Sequence, residues 1–466
     1  MYTRNKRLRL SAVAGVLLWI AQLVGPLQGQ SDVLEFTASK GVTIKIIRDS
    51  SMRFLHATLL VFFRNPHSEP AIPYLTMENL FSESLDETDT KLQDLLKRLG
   101  NDYTVEYHPD RLSVRVNFLA GQIPLFTQFL RELFSYKSFS LKRFNTSAYN
   151  YHKLLVKKQD WEKILAERLA YSVLFQGNPL GNTVIKRDAL LRLNLAQIRS
   201  YYRQNYRPEN SVLLLKGNIN PHIAFGLIEK GLKSLKNQDP VPRRPLDPVA
   251  IPTFQRQILI LDAASNEAPI MFWFQAIPPV DHEQYLYSLI VNEILFGYPI
   301  GNLFRNASGF GIRNIRRMDT EITYHGRAAT LCNTIYLAYE DLEKFILLTD
   351  HEIRKMQIRR IDRKEYLETL NFFLGKSKVD TERFDEDVRE EAIQTIAATS
   401  AKDFRLSSSI FRQVTLEHIN RFVTRKNHLS RDGSAIGSVV IVIVGDAQRI
   451  LQNLRTIKPS EIHTPF

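Results

Sequence analysis

One cysteine, Cys332, is the only thiol in 466 residues, so the chain forms no internal disulfide and rests on its packed core. Cys332 lies in "AATLCNTIYLAY", whose alternating pattern reads as a strand that buries the thiol as a small hydrophobe. Two other scarcities are local. No histidine falls between His67 and His108, and no aspartate or glutamate falls between Leu133 and Gln159. The first gap excludes two imidazoles one helical turn apart anywhere within it. The second leaves Lys137, Lys142, Arg143, Lys153, Lys157 and Lys158 with no acid among them, and a cluster of cations repels a divalent ion.

Acids are also outnumbered overall, 49 against 62 lysines and arginines, for a net charge of +13. The excess is spread along the chain without a recognisable nucleic-acid module, so it does not point to a nucleic-acid partner. The densest cluster, "RKMQIRRIDRK" (Arg354–Lys364), reads as a solvated helix face. Hydrophobic residues make up 44% of the chain and aromatics 10%, the composition of a folded protein long enough for more than one core.

The N-terminus has the plan of a secretory leader. Arg4, Lys6, Arg7 and Arg9 precede the apolar run Leu10–Val24, and Gly25 and Pro26 break it. The run is short for a membrane span and is interrupted by Gln22, so residues 1–30 read as a signal peptide or, if uncleaved, an anchor. The expected location is outside the cytoplasm: periplasm or cell envelope if the source is bacterial. Membrane contact would then come only through this segment.

A proline-rich stretch, "KNQDPVPRRPLDPVAIP", divides the rest. Such a segment is extended and semi-rigid, which makes 236–253 a linker between domains at 31–235 and 254–466. The halves repeat one plan. Strand-like "VLEFTASKGVTIKIIRD" and "FLHATLLVFFR" lead into helices, then "DYTVEYHPDRLSVRVNFLA" gives two alternating strands, long helices follow, and "SVLLLKGNI" closes the half. "QRQILILDAA", "APIMFWFQAI", the helix "EQYLYSLIVNEILF" and a closing "SVVIVIVGDA" repeat it. The expected fold is α+β: two similar domains, each a largely antiparallel sheet with helices on one side, facing each other like the valves of a clam.

Behind the strand at 54–64, "PYLTMENLF" (Pro73–Phe81) begins an amphipathic helix with proline in its first turn, where the missing amide costs nothing. Tyr74, Met77 and Glu78 stand at i, i+3 and i+4 and share one face. A helix that binds metal uses this spacing, but a phenol, a thioether and a carboxylate occupy it here.

With this layout the chain resembles the insulinase/pitrilysin family of zinc peptidases, which includes mitochondrial processing peptidase and the respiratory-complex core proteins. "LKRLGNDYTVEYHPDRLSVRVNFL" (Leu96–Leu119) and "ILFGYPIGNLFRN" (Ile294–Asn306) are similar to family segments. The most specific match is "VLFQGNPLGNTVIKRDALLRLNLAQIRSYYRQNYRPENSVLLLKGNI" (Val173–Ile219). Active members hold zinc with H-x-x-E-H on the helix that matches Pro73–Phe81. The resemblance puts Tyr74 at the first histidine, Met77 at the general base and Glu78 at the second histidine. It places the third ligand, a glutamate, near "YNYHKLLVKKQ", where no acid exists and only His152 remains as a candidate. The family's second-domain arginine and tyrosine fall on Ser308 and Ile312 in "NASGFGIRN", with Arg313 nearby but no tyrosine beside it.

The resemblance therefore implies a non-catalytic homologue with no zinc and no other cofactor. It would bind a peptide or a homologous peptidase-like subunit, as a homo- or hetero-dimer, between or beside its domains. Two alternatives stand beside this reading: a structural core subunit of an envelope assembly, and a peptidase with a non-standard site such as Glu78 with His152.

Overall fold

The computed structural model describes residues 33–63, 69–81, 91–155, 160–235, 256–380, 413–424 and 438–464, with 101, 137, 264–265, 278–282, 314 and 326–327 excepted. The leader and the linker expected from the sequence lie outside these residues.

The first half opens with the hairpin β1 (Val33–Thr37) and β2 (Thr43–Arg48), then β3 (Leu55–Phe62) and the helices α1 (Ala71–Phe81) and α2 (Lys91–Leu99). Gly41 turns that hairpin at φ 87°, and a Cβ there would stand 2.8 Å from Glu209 Cβ, so both the backbone and the space call for glycine. A second hairpin follows, β4 (Tyr103–His108) and β5 (Arg111–Phe118). The helices α3 (Ile123–Phe134), α4 (Leu141–Tyr149), α5 (Tyr151–Leu155), α6 (Trp161–Leu174), α7 (Arg187–Arg192) and α8 (Leu195–Asn205) come next. The half closes with β6 (Ser211–Gly217) and α9 (Pro221–Leu232).

The second half runs β7 (Gln257–Asp262), β8 (Ile270–Ile277), α10 (Glu283–Phe296), α11 (Asn302–Asn306), β9 (Arg317–His325) and β10 (Ala328–Tyr336). It continues with α12 (Leu342–Arg359), α13 (Arg363–Asp380), α14 (Leu416–Thr424), β11 (Val439–Gly445), α15 (Ala447–Asn453) and β12 (Glu461–His463).

The two sheets have one topology. Their orders are β1-β2-β6-β3-β5-β4 and β12-β7-β11-β8-β10-β9, so five strands from β2 to β4 and from β7 to β9 correspond one to one. In each, the late strand inserts in the middle, parallel to one neighbour (β2 or β7) and antiparallel to the other (β3 or β8). The closing turns match as well: Asn220 accepts from the amides of His222 and Ile223 to cap α9, and Asp446 accepts from that of Arg449 to cap α15. Only the sixth strand differs in origin. The N-terminal β1 adds antiparallel to β2, whereas the C-terminal β12 adds parallel to β7.

Each sheet buries one face against its own helices. Ile44, Leu59, Val61, Val114 and Leu213 meet Leu75, Phe126, Phe129 and Leu130 in the first core. Ile260, Trp273, Leu331 and Ile443 meet Ile290, Leu295, Phe345 and Ile353 in the second. In the second core the amides of Asn292 on α10 and Asn333 on β10 exchange hydrogen bonds of 3.1 and 2.8 Å, with Thr320 of β9 donating to Asn333 at 2.7 Å.

Three expectations need correction. Helices do not lie on one side only: α6, from the first half, covers the opposite face of the second sheet. That face is apolar (Leu259, Leu261, Phe272, Phe274, Val440, Val442), and Ala166, Leu169, Ala170, Tyr171 and Leu174 exclude water from it. Nor is α1 amphipathic, since all eleven of its residues are buried. The basic cluster Arg354–Lys364 spans two helices rather than one face, because Arg360 at φ 64° ends the α12 run and α13 starts at Arg363.

Candidate functional site

The residues at the expected zinc helix are held as structure. Asn79 and Ser140 exchange two hydrogen bonds of 3.0 Å, which fasten the end of α1 to the start of α4. The Tyr136 hydroxyl donates to the Asn79 carbonyl at 3.3 Å. Inside this frame Tyr74 is 2% exposed, Met77 3% and Glu78 0%.

The Tyr74 ring packs edge-on against Tyr151 of α5, with centroids 5.0 Å apart. Above both lies Arg168 of α6, its guanidinium carbon 5.9 Å from the Tyr74 ring and 5.8 Å from the Tyr151 ring. Arg168 also donates a hydrogen bond to the Tyr151 hydroxyl. The guanidinium is a permanent cation, and its placement over two ring faces is favourable to it. Tyr107, on edge strand β4, completes the surroundings, and burial holds its phenol above the ordinary range despite the pull of Arg168.

These residues do not fit a zinc ion. A phenol must lose its proton to ligate strongly, the thioether is a poor zinc donor, and a fixed cation stands beside the phenols. Among the described residues no group of three histidine, cysteine, aspartate or glutamate side chains is placed to hold a metal. His152 falls within α5, and the structure gives no description of its side chain.

Ser308 is exposed in a single turn after α11, while Ile312 is 4% exposed and belongs to the second core, away from the first core that holds Tyr74 and Met77. Gly311, at φ 69°, lets the loop turn back so that the Ile312 amide donates to the Ala307 carbonyl at 3.0 Å. Arg313 is exposed, and its amide donates to Asp341. The loop is thus a structural turn on α11 and α12.

Sequence reasoning missed Arg168 and Glu167, which sit side by side on α6. The signal was present: in "EKILAERLAYSVLF" two adjacent opposite charges interrupt an apolar stripe. Glu167 faces the second half, and burial pushes its carboxyl up to about 7, with Glu321 adding to the shift and Lys163 opposing it. Cys332 is buried beneath the same helix, where burial raises its thiol far out of the reactive range, in keeping with a structural side chain. A cavity of about 310 Å³ opens beside the first turn of α6, lined by Glu162, Glu267, Arg316 and Tyr336 among others, none of them a residue of α1.

Residues 192–371 match the family model described as the Peptidase M16 inactive domain. No curated protein matches the chain. Among solved structures, a putative M16-like peptidase from Alicyclobacillus acidocaldarius aligns with TM-score 0.71 at 12% identity, over 90% of this chain and 99% of that one. A peptidase M16 inactive domain from Pseudomonas fluorescens aligns with TM-score 0.66 at 15% identity, over 89% and 98%. A chain of complex III2 from Candida albicans aligns with TM-score 0.67 at 14% identity, over 91% and 97%. The chain thus shares the fold of these M16-type structures along about nine-tenths of its length and matches the family's inactive-domain model across residues 192–371.

Proposed function

We propose that this chain is an exported, non-catalytic M16-type protein that acts by binding an extended peptide or a peptidase-like partner subunit. The observation that carries the reading is the filled zinc-helix position: Tyr74, Met77 and Glu78 are buried in a packed helix, and Arg168 stands where an electrostatically favourable metal site would need negative charge. With no ligand pair and no base, there is no zinc-bound water to activate. What the fold retains is surface. The first sheet ends on β4 and the second on β9, and among the described residues each of these strands is paired on one side only. A peptide laid along either edge would gain backbone hydrogen bonds with little demand on its sequence. The leader-like N-terminus supports export.

Metal analysis of the purified full chain, together with a peptidase assay on unstructured substrates, tests the reading. We expect less than a tenth of an equivalent of zinc after dialysis (~0.1 per chain against one for an intact site) and no chelator-sensitive hydrolysis. Stoichiometric zinc with chelator-sensitive cleavage would overturn it. The likeness to a complex III2 chain favours, as a second reading, a structural subunit of an envelope assembly. A monomer in sedimentation at micromolar concentration, with no copurifying partner, would count against both the partner and the assembly.

A further inference from the structure

We propose that Glu167 is a pH-sensitive latch between the two halves, closing the seam when protonated and loosening it when ionised. The geometry comes from one face of α6. Lys163, Glu167 and Tyr171 recur at i, i+4 and i+8, so they form a row along the helix. The two ends of the row are fastened to β9 of the other half: Lys163 pairs with Glu321, and Tyr171 shares a hydrogen bond with Thr323. Glu167 lies between these fastenings.

The charges that face Glu167 come from four elements. On α6 itself they are Lys163 and Arg168. Strand β9 contributes Glu321, β4 contributes Glu106, and β10 contributes the neutral thiol of Cys332, directly across from Glu321. Two of the nearby cations are already engaged, Arg168 by Tyr151 and Arg115 by Glu106. That leaves Lys163 to serve Glu321 and Glu167 together. With Glu167 neutral, the Lys163–Glu321 pair stands alone and the seam is balanced. Once Glu167 ionises, it competes for Lys163 and repels both Glu321 and Glu106.

The linkage follows in sign. Glu167 titrates near 7 in the closed molecule and at an ordinary 4.5 when the seam opens to water, so the closed form holds the extra proton. Closure is therefore favoured below about 4.5, weakens as pH rises and has lost this contribution above about 7. The shift sets a limit of about two orders of magnitude on the change in the opening equilibrium. Glu106 and His108 also titrate, but both lie on β4 and keep their contact whether or not the halves part.

Hydrogen exchange of the β9 amides (Arg317–His325), corrected for the intrinsic pH dependence, follows the loosening of the strand that the Lys163 and Tyr171 side chains hold. The β6 amides (Ser211–Gly217) serve as a control for global unfolding. In the wild-type chain we expect β9 protection to fall by up to about a hundredfold between pH 4 and 7.5 while β6 stays unchanged. Glu167→Gln should hold high protection across the range. Glu321→Gln, which removes the repelling carboxylate and frees Lys163, should move the step to lower pH, and it decides the matter if Glu167→Gln fails to fold. A wild-type β9 with no step, or a Glu167→Gln or Glu321→Gln chain with the wild-type step, would overturn the latch.

Discussion

The two sheets share a strand order, yet the faces they turn away from their own helices differ in chemistry. On the second sheet that face is almost wholly apolar, and α6 seals it. On the first sheet the corresponding face carries Lys45, Thr58, Arg111, Ser113 and Lys216, all buried, with Arg115 half-buried among them. Its cations are partnered across the surface: Lys45 with Glu35 at 3.6 Å, Arg111 with Asp110 at 2.9 Å, and Arg115 with Glu106. Leu60, Phe62 and Val212 form a small apolar cluster within this grid, and buried Ile47 and Leu214 lie on the same face. One duplicated plan thus carries a dry seam and a polar one. The dry seam fixes position through area, while the polar seam makes position depend on which partners are charged.

The sharpest way to break the contrast is to charge the dry seam. Ala170→Asp places a carboxylate on a fully buried position of α6 against apolar strands, and we expect a loss of about 3–5 kcal/mol, seen as an early transition in urea unfolding. A smaller effect of opposite sign is expected on the polar seam. The Thr58 hydroxyl is buried and, among the described residues, makes no hydrogen bond. Thr58→Val removes that unmet polar atom and should raise the unfolding midpoint by an amount equivalent to about 1 kcal/mol.

The smallest effect is at Arg115. Its pair with Glu106 is partly exposed, so Arg115→Met should cost less than about 1 kcal/mol at pH 7. The variant should nevertheless flatten the acid limb of the stability profile. Burial opposes the ionised form of Glu106, but contacts with His108 and Arg115 outweigh it and bring the carboxyl down to about 2. A depressed carboxyl contributes stability above its unfolded value of 4.5 and loses it as pH falls toward 2. The acid loss therefore belongs to the first half, opposite in direction to the seam at Glu167. Urea titrations at pH 3 and 7 on the wild-type and variant chains compare the two.

The strands were legible because alternation and turn residues write them locally, and the hairpins at β1–β2 and β4–β5 stand where the pattern puts them. That positions 74, 77 and 78 carry no imidazole was legible too, from residue type alone. The destination of α6 was not. The apolar spacing of Ala166, Leu169, Ala170 and Leu174 states that one face is buried, and nothing in it distinguishes the near sheet from the far one. The helix α1 misled for a related reason. Its sequence reads as amphipathic, but Thr76, Glu78 and Asn79 are buried along with Met77, Leu80 and Phe81. Ile312, which the resemblance puts at the family's tyrosine, is buried in the second core, a packing role that residue type could not reveal.

The insertion of β6 between β2 and β3, and of β11 between β7 and β8, sets the order in which a growing chain can finish its sheets. As the ribosome delivers β3, its eventual neighbour β6 is still some 150 residues from synthesis (; on the order of 10 s at typical elongation rates). Until then β2 and β3 have no strand to join them, and each sheet remains two separate pieces with open edges. For the second half the wait lasts until Val439, close to the end of the chain. A nascent chain stalled before either point would expose the strands that aggregate most readily.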